Sequence, residues 1–172
     1  MKTRNAFVTL TICLLLVLTT AFFVNIHKVS AQPIRDCHKL VTGTYLTPLS
    51  GDRGQFYGIT TFTRDGNFVS SASTQTGNPS FQPFSNVQGS WECTSDREIT
   101  ATGLDFNYPT ATLPGSITRT DFRATFDPKA GIVQATAKLR SFSLNANPLN
   151  DDAPVTATLT FTGQRVNSWT IK

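Results

Sequence analysis

Between residues 43 and 166 apolar and polar positions alternate with a period of two. Val155, Ala157, Leu159 and Phe161 alternate with Thr156, Thr158, Thr160 and Thr162. Val133, Ala135, Ala137 and Leu139 alternate with Gln134, Thr136, Lys138 and Arg140, and Phe122, Ala124 and Phe126 with Asp121, Arg123 and Thr125. A strand turns successive side chains to opposite faces, so each run predicts one face on a core and one in water. Thr, Val, Phe and Tyr suit such a pleated, half-buried surface. Turn residues punctuate the runs: Arg64-Asp65-Gly66-Asn67, Asp127-Pro128-Lys129-Ala130-Gly131 and, more weakly, Thr94-Ser95-Asp96-Arg97. Asp-Gly accepts the positive φ of a tight hairpin, while Pro suits an early turn position and Gly a later one. Longer Pro/Asn/Gly segments fall at Gly77–Asn86, Tyr108–Gly115 and Asn145–Pro154.

The pattern predicts eight strands, over 43–50, 54–64, 67–76, 87–94, 97–107, 116–127, 131–144 and 154–166. No useful stretch holds a 3.6-residue period; a short helix or turn fits only Pro33–Leu40. Short turns make successive strands antiparallel neighbours. A row of such strands has exposed edges unless it closes or pairs. An all-β, eight-stranded antiparallel up-and-down barrel is the expected fold, and a two-sheet β-sandwich is the alternative.

Residues 1–31 read as a signal peptide. Lys2 and Arg4 precede an apolar stretch, and Val29-Ser30-Ala31 predicts cleavage before Gln32. An uncleaved membrane anchor is the competing reading, since the apolar run is long. Cleavage leaves 32–172 as one domain with no stable membrane anchor, in a secreted or periplasmic setting. It also changes the charge. Of 15 Lys and Arg, three (Lys2, Arg4, Lys28) leave with the leader and no acid does, so 12 bases face 11 acids at a net +1. The basic character of the whole chain is therefore no footprint for nucleic acid, and no such partner is expected.

Two cysteines remain, Cys37 and Cys93. Export favours their pairing as a disulfide, against two buried thiols. A metal site needs three or four ligands, and His38 is the only histidine after the leader, so neither metal nor cofactor is expected.

Gly43-Thr44-Tyr45 opening the first strand, Thr63-Arg64-Asp65-Gly66-Asn67-Phe68 at the first clear hairpin and Gln88-Gly89-Ser90-Trp91 at the fourth strand are the residues of a family likeness. In this order the chain resembles a family of small secreted bacterial β-barrel proteins of lipocalin/calycin type. The resemblance implies an eight-stranded barrel with an interior cavity and implies no activity. True lipocalins carry Gly-x-Trp at the first strand, whereas here it is Gly89-Ser90-Trp91; no lipocalin ligand site is carried over.

Catalytic chemistry finds little support. Serines lack a Gly-x-Ser-x-Gly elbow, and no recognisable motif surrounds His38. Glu92, Glu98, Asp105 and Asp121 would serve acid/base work only if two turned inward together; the plainer expectation is solubilising acids facing outward. Asp151-Asp152 lacks a calcium-loop spacing. The positive lead is aromatic. Tyr45, Phe56, Phe62, Trp91, Phe106, Phe122, Phe126 and Phe161 lie on separate strands, and a barrel would converge them on its interior. They either fill an ordinary core or line a site for one small, partly apolar or amphipathic molecule. The loop Asn78–Phe84 is placed to cap one end. The leading function is non-enzymatic binding of such a molecule. A structural or interaction module with a packed core is the first alternative, and an enzyme using barrel carboxylates the second.

Overall fold

The structure, a computed structural model, describes residues 32–51, 54–77 and 82–167. The leader reading and residues 78–81 of the capping loop lie outside the described residues. One helix, α1 (Gln32–Val41), precedes eight strands: β1 (Gly43–Gly51), β2 (Gly54–Phe62), β3 (Asn67–Ala72), β4 (Val87–Cys93), β5 (Glu98–Asn107), β6 (Ser116–Asp127), β7 (Ile132–Ser143) and β8 (Val155–Arg165). Every strand pairs antiparallel with its neighbour in sequence, and β1 meets β8 to close the barrel. The up-and-down barrel, not the sandwich, is therefore the fold.

Two expected strands end early. β2 stops at Phe62 because Thr63 begins a turn: its Oγ1 donates to the Asn67 carbonyl at 2.8 Å, and Gly66 takes φ +87°. That positive φ is a conformation glycine adopts without the Cβ penalty. β3 stops at Ala72 because the chain turns through 73–76, with the Gln75 amide bonded to the Ala72 carbonyl.

Register fixes what faces inward. Tyr45 and Thr47 are buried, and the pairs Tyr45↔Thr60, Phe62↔Phe68, Trp91↔Ala101, Ala101↔Phe122, Ala124↔Ala135 and Val133↔Gly163 carry that face round the sheet. Large rings need small neighbours in so narrow an interior. A Cβ on Gly89 or Gly103 would come within 2.8 Å or 2.7 Å of the Phe68 ring, so these two glycines make room for it.

The two ends of the barrel differ. At the α1 end the connections are short (63–66, 94–97 and 128–131) and α1 itself is the plug. Cys37 and Val41, four apart and so on one helix face, are both fully buried. Thr42 ends the helix, its Oγ1 donating to the His38 carbonyl at 2.7 Å. Cys37 is disulfide-bonded to Cys93 at the end of β4. Arg165 donates to the carbonyls of Leu40 and Thr42, and the Tyr45 hydroxyl donates to the Val41 carbonyl at 3.1 Å.

At the far end three connections are longer (73–86, 108–115 and 144–154), the β1–β2 connection is only 52–53, and the β1–β8 seam parts. It is paired at Tyr45↔Arg165 and Leu46↔Gln164, with the Val166 amide bonded to the Thr44 carbonyl. Beyond Gln164 toward Val155, β8 has a strand on its β7 side only. This corrects the expectation of a uniformly dry inner row. Leu159 and Val155 are 36% and 43% exposed although Leu159 follows Phe161 along the inward face. Thr156, Thr158, Thr160 and Thr162 face solvent as expected.

Candidate functional site

The sequence-selected aromatics divide into three groups. Tyr45, Phe62, Trp91 and Phe126 are buried in the α1 half and in ring contact. Phe62 is the hub: its ring centroid lies 6.0 Å from Tyr45, 6.0 Å from Trp91, 5.9 Å from Phe126 and 6.1 Å from Phe122. The Tyr45, Trp91 and Phe126 rings meet Phe62 edge-on, the arrangement favoured by the ring quadrupole. The Trp91 indole N–H donates to the Thr63 and Asn67 carbonyls at 3.2 and 3.0 Å, and the His38 ring lies on its face at 4.7 Å. Trp91 is thus a satisfied core residue.

Phe56, Phe122 and Phe161 form the second group. All three stand on the inward face and are only partly buried, with Phe122 and Phe161 5.7 Å apart. Phe106 stands alone and is a correction. It alternates with inward Asp105 and Asn107, faces outward and is 54% exposed.

Around Phe122 and Phe161 the inward residues of the far half share this partial exposure: Leu49, Thr60, Ser70, Val87, Thr120, Leu139 and Ala157. Solvent reaches these side chains through the parted β1–β8 seam or the end of the barrel. The α1 half is packed, whereas the inward side chains of the far half, the cup, keep partial solvent exposure. The wall of the cup is mixed. Apolar Phe122, Phe161, Leu139 and Leu159 occupy β6–β8, while Thr60 Oγ1 and Ser70 Oγ bond to each other at 2.8 Å on β2 and β3.

The acids do not converge. Glu92 and Glu98 are exposed, and Asp121 faces outward between Arg119 and Arg140. Asp105 alone turns inward and is 7% exposed. Among the described residues its carboxyl has no hydrogen-bond or ion-pair partner. Burial pushes its pKa up to about 7, because a charge without a partner is poorly solvated there. The neighbouring Asn107 Nδ2 is engaged elsewhere, donating to Ser116 Oγ at 3.1 Å and Thr118 Oγ1 at 2.7 Å. For Asp105 this corrects the expectation of an outward, solubilising acid. The signal was present, for Ile99, Ala101, Gly103 and Asp105 share one parity.

The outer wall carries two features. The Asn145–Pro154 segment lies over β6 and β7, where Arg119 donates to the Pro148 carbonyl at 2.6 Å and stacks 5.4 Å from the Phe142 ring, and Arg140 donates to the Ala153 carbonyl at 3.1 Å. This segment therefore lies against the outer wall and not across the barrel end. Three recesses of about 470, 200 and 490 Å³ indent the outside of β3–β7. Their linings reach Trp91 and Phe122 but consist mainly of outward residues such as Ser90, Thr102, Arg123 and Lys138. Next to them Leu46, Tyr57, Ile59 and Val69, on the outside of β1–β3, are 40–49% exposed.

Of segment 78–84, the described part runs beside β5. Phe84 bridges to Asn107, and the Tyr108 amide bonds to the Pro83 carbonyl at 2.8 Å. Among the described residues no three His, Cys, Asp or Glu side chains gather as a metal cage. The chain matches no family model, no curated protein and no solved structure.

Proposed function

We propose that this is an exported carrier or receptor that holds one small, partly apolar molecule in the far half of its barrel. The observation behind the reading is the contrast between the two halves. Apart from Asp105, the inward side chains away from α1, such as Leu49, Thr60, Ser70, Val87, Phe122, Leu139 and Phe161, stay partly exposed, while those beside α1 are sealed. Binding sites of this kind combine apolar walls with a few fixed polar groups, as Phe122, Phe161 and Leu139 stand here with Thr60, Thr120 and Asp105. A structural disulfide fits an oxidising compartment and so supports export. The parted β1–β8 seam gives a ligand a way in.

Titration with the neutral fluorescent probe N-phenyl-1-naphthylamine tests this. Ala157→Trp places an indole in the cup at a partly exposed inward position. We expect saturable, one-to-one probe binding to the wild type and at least a tenfold loss in Ala157→Trp at unchanged circular dichroism. A second reading, docking of a protein partner on the outer wall, is favoured by the apolar Leu46, Tyr57, Ile59 and Val69. Probe binding that survives Ala157→Trp and disappears in Ile59→Ser overturns the interior site in favour of that wall.

A further inference from the structure

Asp105 stands in the cup as a buried acid without a partner. It is 7% exposed and inward on β5, opposite Thr118 of β6. A carboxyl that keeps only slight solvent contact is costly to ionise unless something bonds to it. The usual partners are absent or occupied. The Asn107 amide is bonded to Ser116 and Thr118. The outward Arg119, Arg123 and Arg140 lie across the sheet, and Arg119 and Arg140 serve the 145–154 segment and Asp121. Along the inward positions of all eight strands the only other charged side chain is Arg165. It belongs to the plug, bonded to the Leu40 and Thr42 carbonyls and 5.8 Å from the Tyr45 ring centroid. Among the described residues, the inward positions of the cup therefore hold one acid, no base and an apolar wall on β6–β8.

We propose that the cup's ligand is a small amphipathic amine, its protonated nitrogen paired with Asp105 and its apolar body laid against Phe122, Leu139, Leu159 and Phe161. The inference rests on the interior-binding reading above and adds the chemical class of the ligand. An ammonium group supplies the donor and the countercharge the carboxyl lacks, and at a carboxyl only 7% exposed such a pair is strengthened. Thr118 and Asn107, whose oxygens remain able to accept, stand on either side for the remaining N–H groups.

pH dependence follows from the same geometry. The inward titrating groups are Asp105 and, at the α1 end, Tyr45, which lies beside Arg165. Asp105 is held neutral to about pH 7, so amine affinity rises as the pH passes upward through that value.

Calorimetric titration of the oxidised protein with 2-phenylethylamine and with its neutral isostere 2-phenylethanol, at about pH 8 where an alkylamine is protonated, tests the inference. The amine is expected to bind the wild type at least tenfold more tightly than the alcohol. Asp105→Asn is expected to abolish that preference and leave alcohol binding within about twofold. Equal affinities in the wild type, or a preference that persists in Asp105→Asn, overturn the amine assignment while the interior site stands. No binding of either compound, together with no binding of N-phenyl-1-naphthylamine, overturns both.

Discussion

At Asp105 the cost of burying a charge decides the protonation state. The folded-state pKa is raised from 3.8 to about 7 by desolvation, so the folded protein holds a proton that the unfolded chain releases. The sign follows from linkage. The contribution to stability is fully present below the unfolded value and is lost as pH rises toward the folded one. Asp105→Asn, which keeps the shape and removes the ionisation, is expected to match the wild type near pH 4 and to exceed it increasingly up to about pH 7. The gap reaches on the order of 4 kcal/mol. Urea unfolding of both proteins across this range measures it, and parallel stability–pH curves would show that the carboxyl is solvated or paired.

The α1 plug joins helix, strand and covalent link. Its Cys37 and Val41 are fully buried, and the disulfide ties it to β4 across a sequence separation of 56. Closing a loop of that length stabilises by about 4 kcal/mol in the chain-entropy description. A Cys37→Ala/Cys93→Ala protein is expected to lose that amount in denaturant unfolding and to keep the barrel's far-ultraviolet spectrum; a change under about 1 kcal/mol would mean that the plug holds without its link. The strands were legible because each alternating run has one dominant parity, and the Asp65-Gly66 and Pro128–Gly131 turns fix where runs end. The misplaced Phe106 shows the limit. On β5 the inward parity is set by Ile99 and Ala101, but Leu104 and Phe106 place apolar side chains on the other face while Asp105 takes the inner one. Hydrophobicity and parity disagree there, and the β5–β6 register Ala101↔Phe122 decides for parity. A local pattern also carries no information about strands that separate. Leu159 sits in a clean inward row, and its exposure arises because β1 leaves β8 beyond Leu46↔Gln164.

For the whole molecule, the consequence is an axial polarity. Short turns, a helix, a disulfide and a cluster of touching rings close one end. Three longer connections, a parted seam and an acid without a partner mark the other. In this architecture packing and accessibility are divided along the barrel axis, a division that would let a packed core and the proposed ligand site share eight strands. Methyl-labelled NMR titration with 2-phenylethylamine reads this division directly, because Leu49, Val87, Leu139 and Leu159 report on the cup, Ile99 and Val133 on the sealed half, and Leu46, Ile59 and Val69 on the outer wall. The expected result is saturable shifts confined to the first set. Shifts confined to Leu46, Ile59 and Val69, with Leu139 and Leu159 unmoved, would contradict a ligand-holding interior.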